Sequence, residues 1–310
     1  MSMKRILTIS LVLVVLVSFL FVMGCEPAEP TVKVGSKEFT EQLILAQVAI
    51  LALEHHGIPT EDESGLGGTL VNREALEAGD LDLYWEYTGT ALVEFMAHDV
   101  ITDPEEAYAT IAEWDQAEND LIWLDMTPFD NTYTIMMRRE DAEEMNIETI
   151  SDLAAAINAD EPAPEPGDWN FAMSHEYEAR DDGVDELQET YGFQFDYADP
   201  MDMGIVYEAL REKEYSVSMG FATDARIAAY NLVNLVDDMG FHPVYNCAPV
   251  VRQEMLDEFP EIPEILNPIS EALTADVMSD LNMRVDIDDM DADEVAEEWL
   301  IEEGFIEPEE

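Results

Sequence analysis

The feature that most constrains this chain is a sustained alternation of short strand-like runs with helical patterns, beginning at Thr31. Thr31-Val-Lys-Val-Gly-Ser36 alternates as a strand does, and Thr40 then opens a helix in which Leu43, Ile44, Val48, Ile50 and Leu51 are apolar nearly all round, ending at Gly57. Leu66-Gly-Gly-Thr69 starts a second helix that stops at Gly79, and Leu81 to Trp85 is the next strand. Asp103-Pro104 opens a third helix, and Leu121 to Leu124 is the strand after it. Further on, residues 131–138, 170–174, 215–221 and 247–251 read as strands, and 183–191, 203–211 and 223–230 as helices. Ser151 is the expected cap of another helix, and residues 160–168 form a loop of breakers. Beyond residue 251 the pattern is mainly helical, punctuated by Pro260, Pro263 and Pro268. Strands that alternate with helices must cover their sheet with those helices, so the fold class is α/β. The layout suits two lobes with a ligand in the cleft where strand ends and helix N-termini face each other.

The N-terminus reads as an address. Lys4 and Arg5 precede an unbroken apolar run from Ile6 to Val22, and Gly24-Cys25 follows, which is the order of a lipoprotein signal peptide over residues 1–24. An uncleaved N-terminal anchor would leave the protein on the same face of the same membrane. Cys25 is the expected lipid attachment site, residues 25–30 a tether, and the location the outer face of the cytoplasmic membrane. With Cys25 lipidated, Cys247 has no partner for a disulfide, so stability must come from a core. Hydrophobic content of 47% is enough for one.

Acidic residues number 71 against 13 basic ones, a net charge of −58. Self-repulsion on that scale is tolerable where the Debye length shrinks to about 3 Å, near molar salt, so we expect an exported protein bathed in brine. Nucleic acid is excluded as a partner because no basic patch exists to meet phosphates. The run Glu61-Asp62-Glu63 and the acids from Asp288 to Glu294 read as solvated surface. Asp286, Asp288, Asp291 and Glu297 have the spacing of a calcium loop, but Asp291 replaces the required glycine and Met290 stands at the fifth position. No metal or cofactor is expected. Gly65-Leu-Gly-Gly68 lacks the third glycine of a dinucleotide fingerprint, and neither a Walker lysine nor a nucleophile elbow appears. His55, His56, His98, His175 and His242 show no zinc-binding spacing.

Against this background one segment stands out: Asp82-Leu-Tyr84-Trp85-Glu86-Tyr87-Thr88-Gly89-Thr90 gathers three aromatic rings around Glu86. Rings concentrated in this way are either core or the wall of a site. Tyr84 and Trp85 point to opposite faces of the strand, so we expect one in the lobe and one near the cleft.

Read together, Gly35-Ser-Lys-Glu-Phe-Thr-Glu-Gln42, Gly67-Gly-Thr69, Gly79 to Thr90, Asn131-Thr-Tyr133, Phe221 to Ile227, Asp237-Asp238 with Gly240-Phe241, and Tyr245 to Arg252 resemble the glycine betaine/choline/carnitine-type substrate-binding proteins of osmoprotectant ABC importers. The similarity follows the chain in order over nearly its whole length after the signal. It implies a periplasmic-binding fold of two lobes joined by two chain crossovers, with residues 31–130 and 240–310 in one lobe and 131–239 in the other. It implies a box of rings for a quaternary ammonium group at Tyr87, Tyr133, Phe221 and Tyr245, and carboxylate partners at Lys37, Thr90 and Arg180. It also implies a monomer that delivers its ligand to a permease driven by a separate ATPase, and no catalysis.

The chemistry of such a box is physically sound. A trimethylammonium group has no N–H to donate, whereas each ring face attracts it by roughly 0.5–2 kcal/mol. Arginine can grip a carboxylate with two parallel bonds and a threonine hydroxyl can add a neutral donor. Two positions depart from the family pattern: Phe221 stands where tyrosine is common, and Trp85 where proline is often found, which is expected to reshape the lip of the cleft. Glycine betaine is the expected ligand, with choline, carnitine and ectoine as alternatives. An amino acid is a further alternative, and its primary ammonium would want Glu86 or Asp224 directed at its N–H groups.

Overall fold

The computed structural model describes residues 30–308 apart from 99 and 181. The expected signal segment, Cys25 and most of the tether lie outside the described residues. Ten strands form two five-stranded mixed sheets among those residues. The first has the order β2-β1-β3-β10-β4, built from β1 (Val32–Gly35), β2 (Thr60–Glu63), β3 (Leu83–Tyr87), β4 (Leu121–Trp123) and β10 (Cys247–Arg252). The second runs β7-β6-β8-β5-β9, from β5 (Tyr133–Arg138), β6 (Asn170–Ser174), β7 (Tyr197–Met201), β8 (Val217–Phe221) and β9 (Leu232–Leu235).

The chain therefore leaves the first sheet after β4 and returns to it through β10. Each sheet is mostly parallel, and the strand beside each passage breaks the pattern: β10 runs antiparallel to β3 and β4, and β5 antiparallel to β8 and β9. The two passages touch. Asp130 and Asn246 form an antiparallel bridge, the Asn131 amide donates to the Tyr245 carbonyl at 3.1 Å, and the Tyr245 amide donates to Asp130 Oδ1 at 2.7 Å.

The helix Thr40–His55, apolar nearly all round in the sequence, is buried over most of its surface, with the face of Leu43, Gln47, Leu51 and Glu54 half-buried or exposed. The C-terminal helices Ile262–Ala272, Ala275–Asp286 and Ala292–Glu302 pack along it. Successive side chains of β3 enter different cores, as the period of two requires: Leu83, Trp85 and Tyr87 join the larger cluster, and Tyr84 joins a smaller one with Leu92, Ile111 and Trp123. Neither Tyr84 nor Trp85 reaches the cleft. Both are fully buried, so the expectation that one would border it, and that Trp85 would shape its lip, is corrected.

Other elements differ from the sequence pattern for local reasons. The acid run at 61–63 is part of the edge strand β2, solvated but paired with β1. Charged side chains on an edge strand keep it from pairing with other molecules, and their polarity masks the strand. Thr149, and not Ser151, caps the helix Ile150–Asn158, in a reciprocal box with Asp152. The expected helix at 223–230 shrinks to Arg226–Ala229, because Asp224 folds back to accept from the Arg226 backbone and guanidinium.

Candidate functional site

Between the two sheets lies a cleft of about 590 Å³. Six of the seven residues expected to contact ligand line it: Lys37, Tyr87, Thr90, Tyr133, Phe221 and Tyr245. Strand register explains the placement. Tyr133 opens β5 directly opposite Phe221 at the end of β8, which sets their ring centroids 5.4 Å apart. On the other side Tyr87 ends β3 opposite Cys247, and Tyr245 lies two residues before that cysteine. Tyr245 meets Tyr133 edge-on at 5.2 Å.

Gly89 is required for that arrangement. A β-carbon there would fall 2.8 Å from Tyr245 Cε1 and 2.8 Å from the Val244 carbonyl oxygen. The glycine in the aromatic segment is the seat of a ring contributed from far along the chain.

Sequence reasoning missed a fifth ring. Phe39, in the turn between β1 and its helix, stacks on Phe221 at 5.2 Å and faces Tyr87 at 6.3 Å. The rings Tyr87, Phe39, Phe221, Tyr133 and Tyr245 thus form a continuous arc drawn from both lobes. Phe39 sits inside the quoted Gly35 to Gln42 segment, and an aromatic residue at the N-terminal boundary of a helix was the available signal. Burial raises the phenol pKa of Tyr87, Tyr133 and Tyr245 far above the usual value, so all three are neutral phenols.

The basic groups are committed to internal partners. Lys37 Nζ donates to Glu86 Oε1 at 2.7 Å, and stands 5.2 Å from the centre of the Tyr87 ring. Glu86 is fully buried and also accepts from the Tyr84 hydroxyl at 3.1 Å and the Tyr87 amide at 2.7 Å. Glu86 is therefore the counter-ion of Lys37 and no part of the cleft wall. Asp224 is likewise engaged, by Arg226.

Arg180 is the one expected residue that does not line the cleft. It stands behind the wall, 5.3 Å from the Tyr133 ring centre and 5.9 Å from that of Tyr245. Its Nε and Nη2 donate to Asp182 at 2.6 and 2.8 Å, and Nη2 also donates to the Tyr245 hydroxyl at 3.1 Å. Burial works against its charge, but Tyr133, Tyr245 and Asp182 more than offset this and hold it cationic. Nη1 has no hydrogen-bond partner among the described residues. Carboxylates of Glu38, Glu176, Asp202 and Asp286 stand at the border of the cleft, exposed or half-buried. No group of three or more metal-ligating side chains occurs among the described residues.

Two α/β lobes that send aromatic rings into a shared cleft define a solute-capturing binding protein. The chain belongs to the OpuAC family, described as the substrate binding domain of the ABC-type glycine betaine transport system, which it matches over residues 30–302. It is 38% identical to a glycine-betaine-binding protein of Pseudomonas aeruginosa, over 93% of this chain and 92% of that one. It is 30% identical to the carnitine transport binding protein OpuCC of Listeria monocytogenes, over 94% of this chain and 95% of that one. Among solved structures, a glycine betaine/carnitine/choline ABC transporter protein superposes with a TM-score of 0.73 at 30% identity, covering 88% of this chain and 99% of the other. The family is one of extracytoplasmic transport receptors.

Proposed function

We propose that this protein captures glycine betaine, or a close quaternary-ammonium relative, and hands it on unchanged to a membrane permease with its ATPase. The observation that carries the reading is the arc of five rings contributed by both lobes. A methylated cation placed there would be attracted by several faces at roughly 0.5–2 kcal/mol each, and would lose no hydrogen bonds on leaving water. The same geometry disfavours a primary ammonium ligand, because Glu86 and Asp224 already accept from Lys37 and Arg226. Relatives named for glycine betaine and for carnitine support the choice of class.

In this reading Tyr87, Tyr133, Phe221, Tyr245 and Phe39 form the box. Lys37 and Thr90 meet the ligand carboxylate from the wall. Arg180 backs two box rings, and its Nη1, which makes no hydrogen bond and stands 3.8 Å from Glu176 Oε1, is the donor available to an anionic group that penetrates between them. Residues 31–130 with 240–310, and residues 131–239, act as the bodies that close on the ligand about the paired passages. Cys25 carries the lipid that holds the receptor at the outer face of the membrane, and the receptor acts as a monomer. Calorimetry in high salt with glycine betaine against glycine tests the central claim: glycine betaine binds and is recovered intact, while glycine does not compete. Binding of glycine in preference would refute it. Metabolic lipid labelling that is lost in Cys25→Ser tests the anchor.

A further inference from the structure

Behind the ring arc, at the junction of the lobes, lies a buried carboxylate that ligand recognition does not use. Glu41 is in the first turn of the helix Thr40–His55 and is 3% exposed. Its Oε1 accepts from the Tyr87 hydroxyl at 2.7 Å and from Asn131 Nδ2 at 2.7 Å. Its Oε2 accepts from the Thr223 hydroxyl at 2.6 Å and from Asn282 Nδ2 at 3.1 Å. A carboxylate offers about four lone-pair sites, so these four donors saturate it.

The donors come from four separate places in the fold. Tyr87 is a box ring on the first sheet, Asn131 lies in the first passage between lobes, Thr223 follows β8 of the second sheet, and Asn282 belongs to the helix Ala275–Asp286. Thr223 is the donor furthest into the second lobe. Its contact repeats, two residues along on each side, the ring contact between Phe39 and Phe221. Two links therefore cross the junction in parallel, an apolar one facing the cleft and a hydrogen-bonded one behind it. A cavity of about 20 Å³, room for about one water, borders Phe39, Glu41, Phe221, Thr223 and Asn282.

We propose that Glu41 is a positioning residue that couples assembly of the aromatic box to closure of the lobes. Its carboxylate fixes the Tyr87 ring through the phenolic hydroxyl and, through Thr223, holds that ring only when the second lobe is in place. The proposal rests on the reading of the cleft as a quaternary-ammonium site.

The test is the pair Thr223→Val and Tyr87→Phe in the full chain. Thr223→Val keeps shape and removes one hydroxyl, and Tyr87→Phe keeps the ring face. Each is expected to speed glycine betaine dissociation up to about tenfold in stopped-flow competition, the upper end of the net worth of one hydrogen bond. In Thr223→Val association and the Tm of the ligand-free protein stay unchanged, and Thr223→Ser keeps the slow dissociation. The double variant loses less than the sum of the two, because both act through one carboxylate. Unchanged dissociation in Thr223→Val, strict additivity, or an equal drop in Tm with and without ligand overturns the proposal and leaves the cleft reading intact. A wild-type protein that binds no quaternary amine removes both.

Discussion

Gly89→Ala places a single methyl group between two parts of the binding wall and so tests whether Tyr245 belongs to it. Gly89 lies in the helical turn Thr88–Thr90, where alanine is intrinsically better by about 1 kcal/mol. On local propensity alone the substitution should stabilise the protein. The new β-carbon, however, would sit 2.8 Å from Tyr245 Cε1 and 2.8 Å from the Val244 carbonyl oxygen, well inside contact distance. The carbonyl is main chain, fixed by accepting from the Thr88 hydroxyl at 2.9 Å, so the ring must slide. Overpacking of this kind costs about 1–3 kcal/mol, which outweighs or cancels the propensity gain. The displaced ring then loses its cation contact, worth about 1 kcal/mol, and its edge-on fit to Tyr133. We expect glycine betaine affinity to fall roughly five- to tenfold by calorimetry, with Tm unchanged or lower. A Gly89→Ala protein that binds as wild type does and melts higher would show that Tyr245 takes no part in the box.

Phe39→Ala removes the ring that closes the arc and should weaken glycine betaine binding by about 1 kcal/mol in the same calorimetric assay; unchanged affinity would take Phe39 out of the box. Burial pushes the Asp237 carboxyl up, but donors from His242, Tyr191 and the Phe241 amide prevail and hold it below the usual range. Its stabilising contribution is thus present above the ordinary aspartate pKa and is lost as pH falls through the depressed one, so Asp237→Asn should cost most near neutral pH and converge with wild type in acid, as read from denaturant melts across that range. Arg73 pairs with the fully buried Asp115 through two bonds of 2.8 and 2.6 Å, so Arg73→Met should destabilise by about 3–5 kcal/mol in chemical unfolding, and Arg73→Met with Asp115→Leu should recover much of it.

The sheet pattern and most of the rings that line the cleft were legible because both depend on short-range signals. Strand period and helix breakers place β1, β3, β5, β6, β8 and β10, and ordered motifs pick out Tyr87, Tyr133, Phe221 and Tyr245. What escaped depends on partners far away in sequence. β2 is written in acids because it is an edge, β7 contains Pro200, and β9 is four residues long. Trp85 was assigned to the cleft lip because nothing local tells one buried face of a strand from the other. Phe39 could not be distinguished from a staple residue before a helix. Glu41 was one acid among many until four donors from distant segments were seen to converge on it. The commitment of Lys37 to Glu86 was hidden for the same reason, since the pair is separated by 49 residues.

The distribution of cations within so acidic a chain bears on how the cleft can work at all. The buried or half-buried basic groups at Lys37, Arg73, Arg138, Arg180 and Arg226 each lie against a carboxylate of their own: Glu86, Asp115, Asp141, Asp182 and Asp224. Positive charge inside the protein is thus spent on neutralising buried acids, and the acids at the border of the cleft remain without such a counter-ion or share one. A ligand that brings a permanent positive charge enters a field already of the right sign. In brine that field is screened within about 3 Å and contributes little beyond contact. Ring contacts act at that short range. In the brine proposed from the acidity, a receptor for a cation would therefore be better served by apolar faces than by carboxylates, and the proposed box of rings meets that requirement.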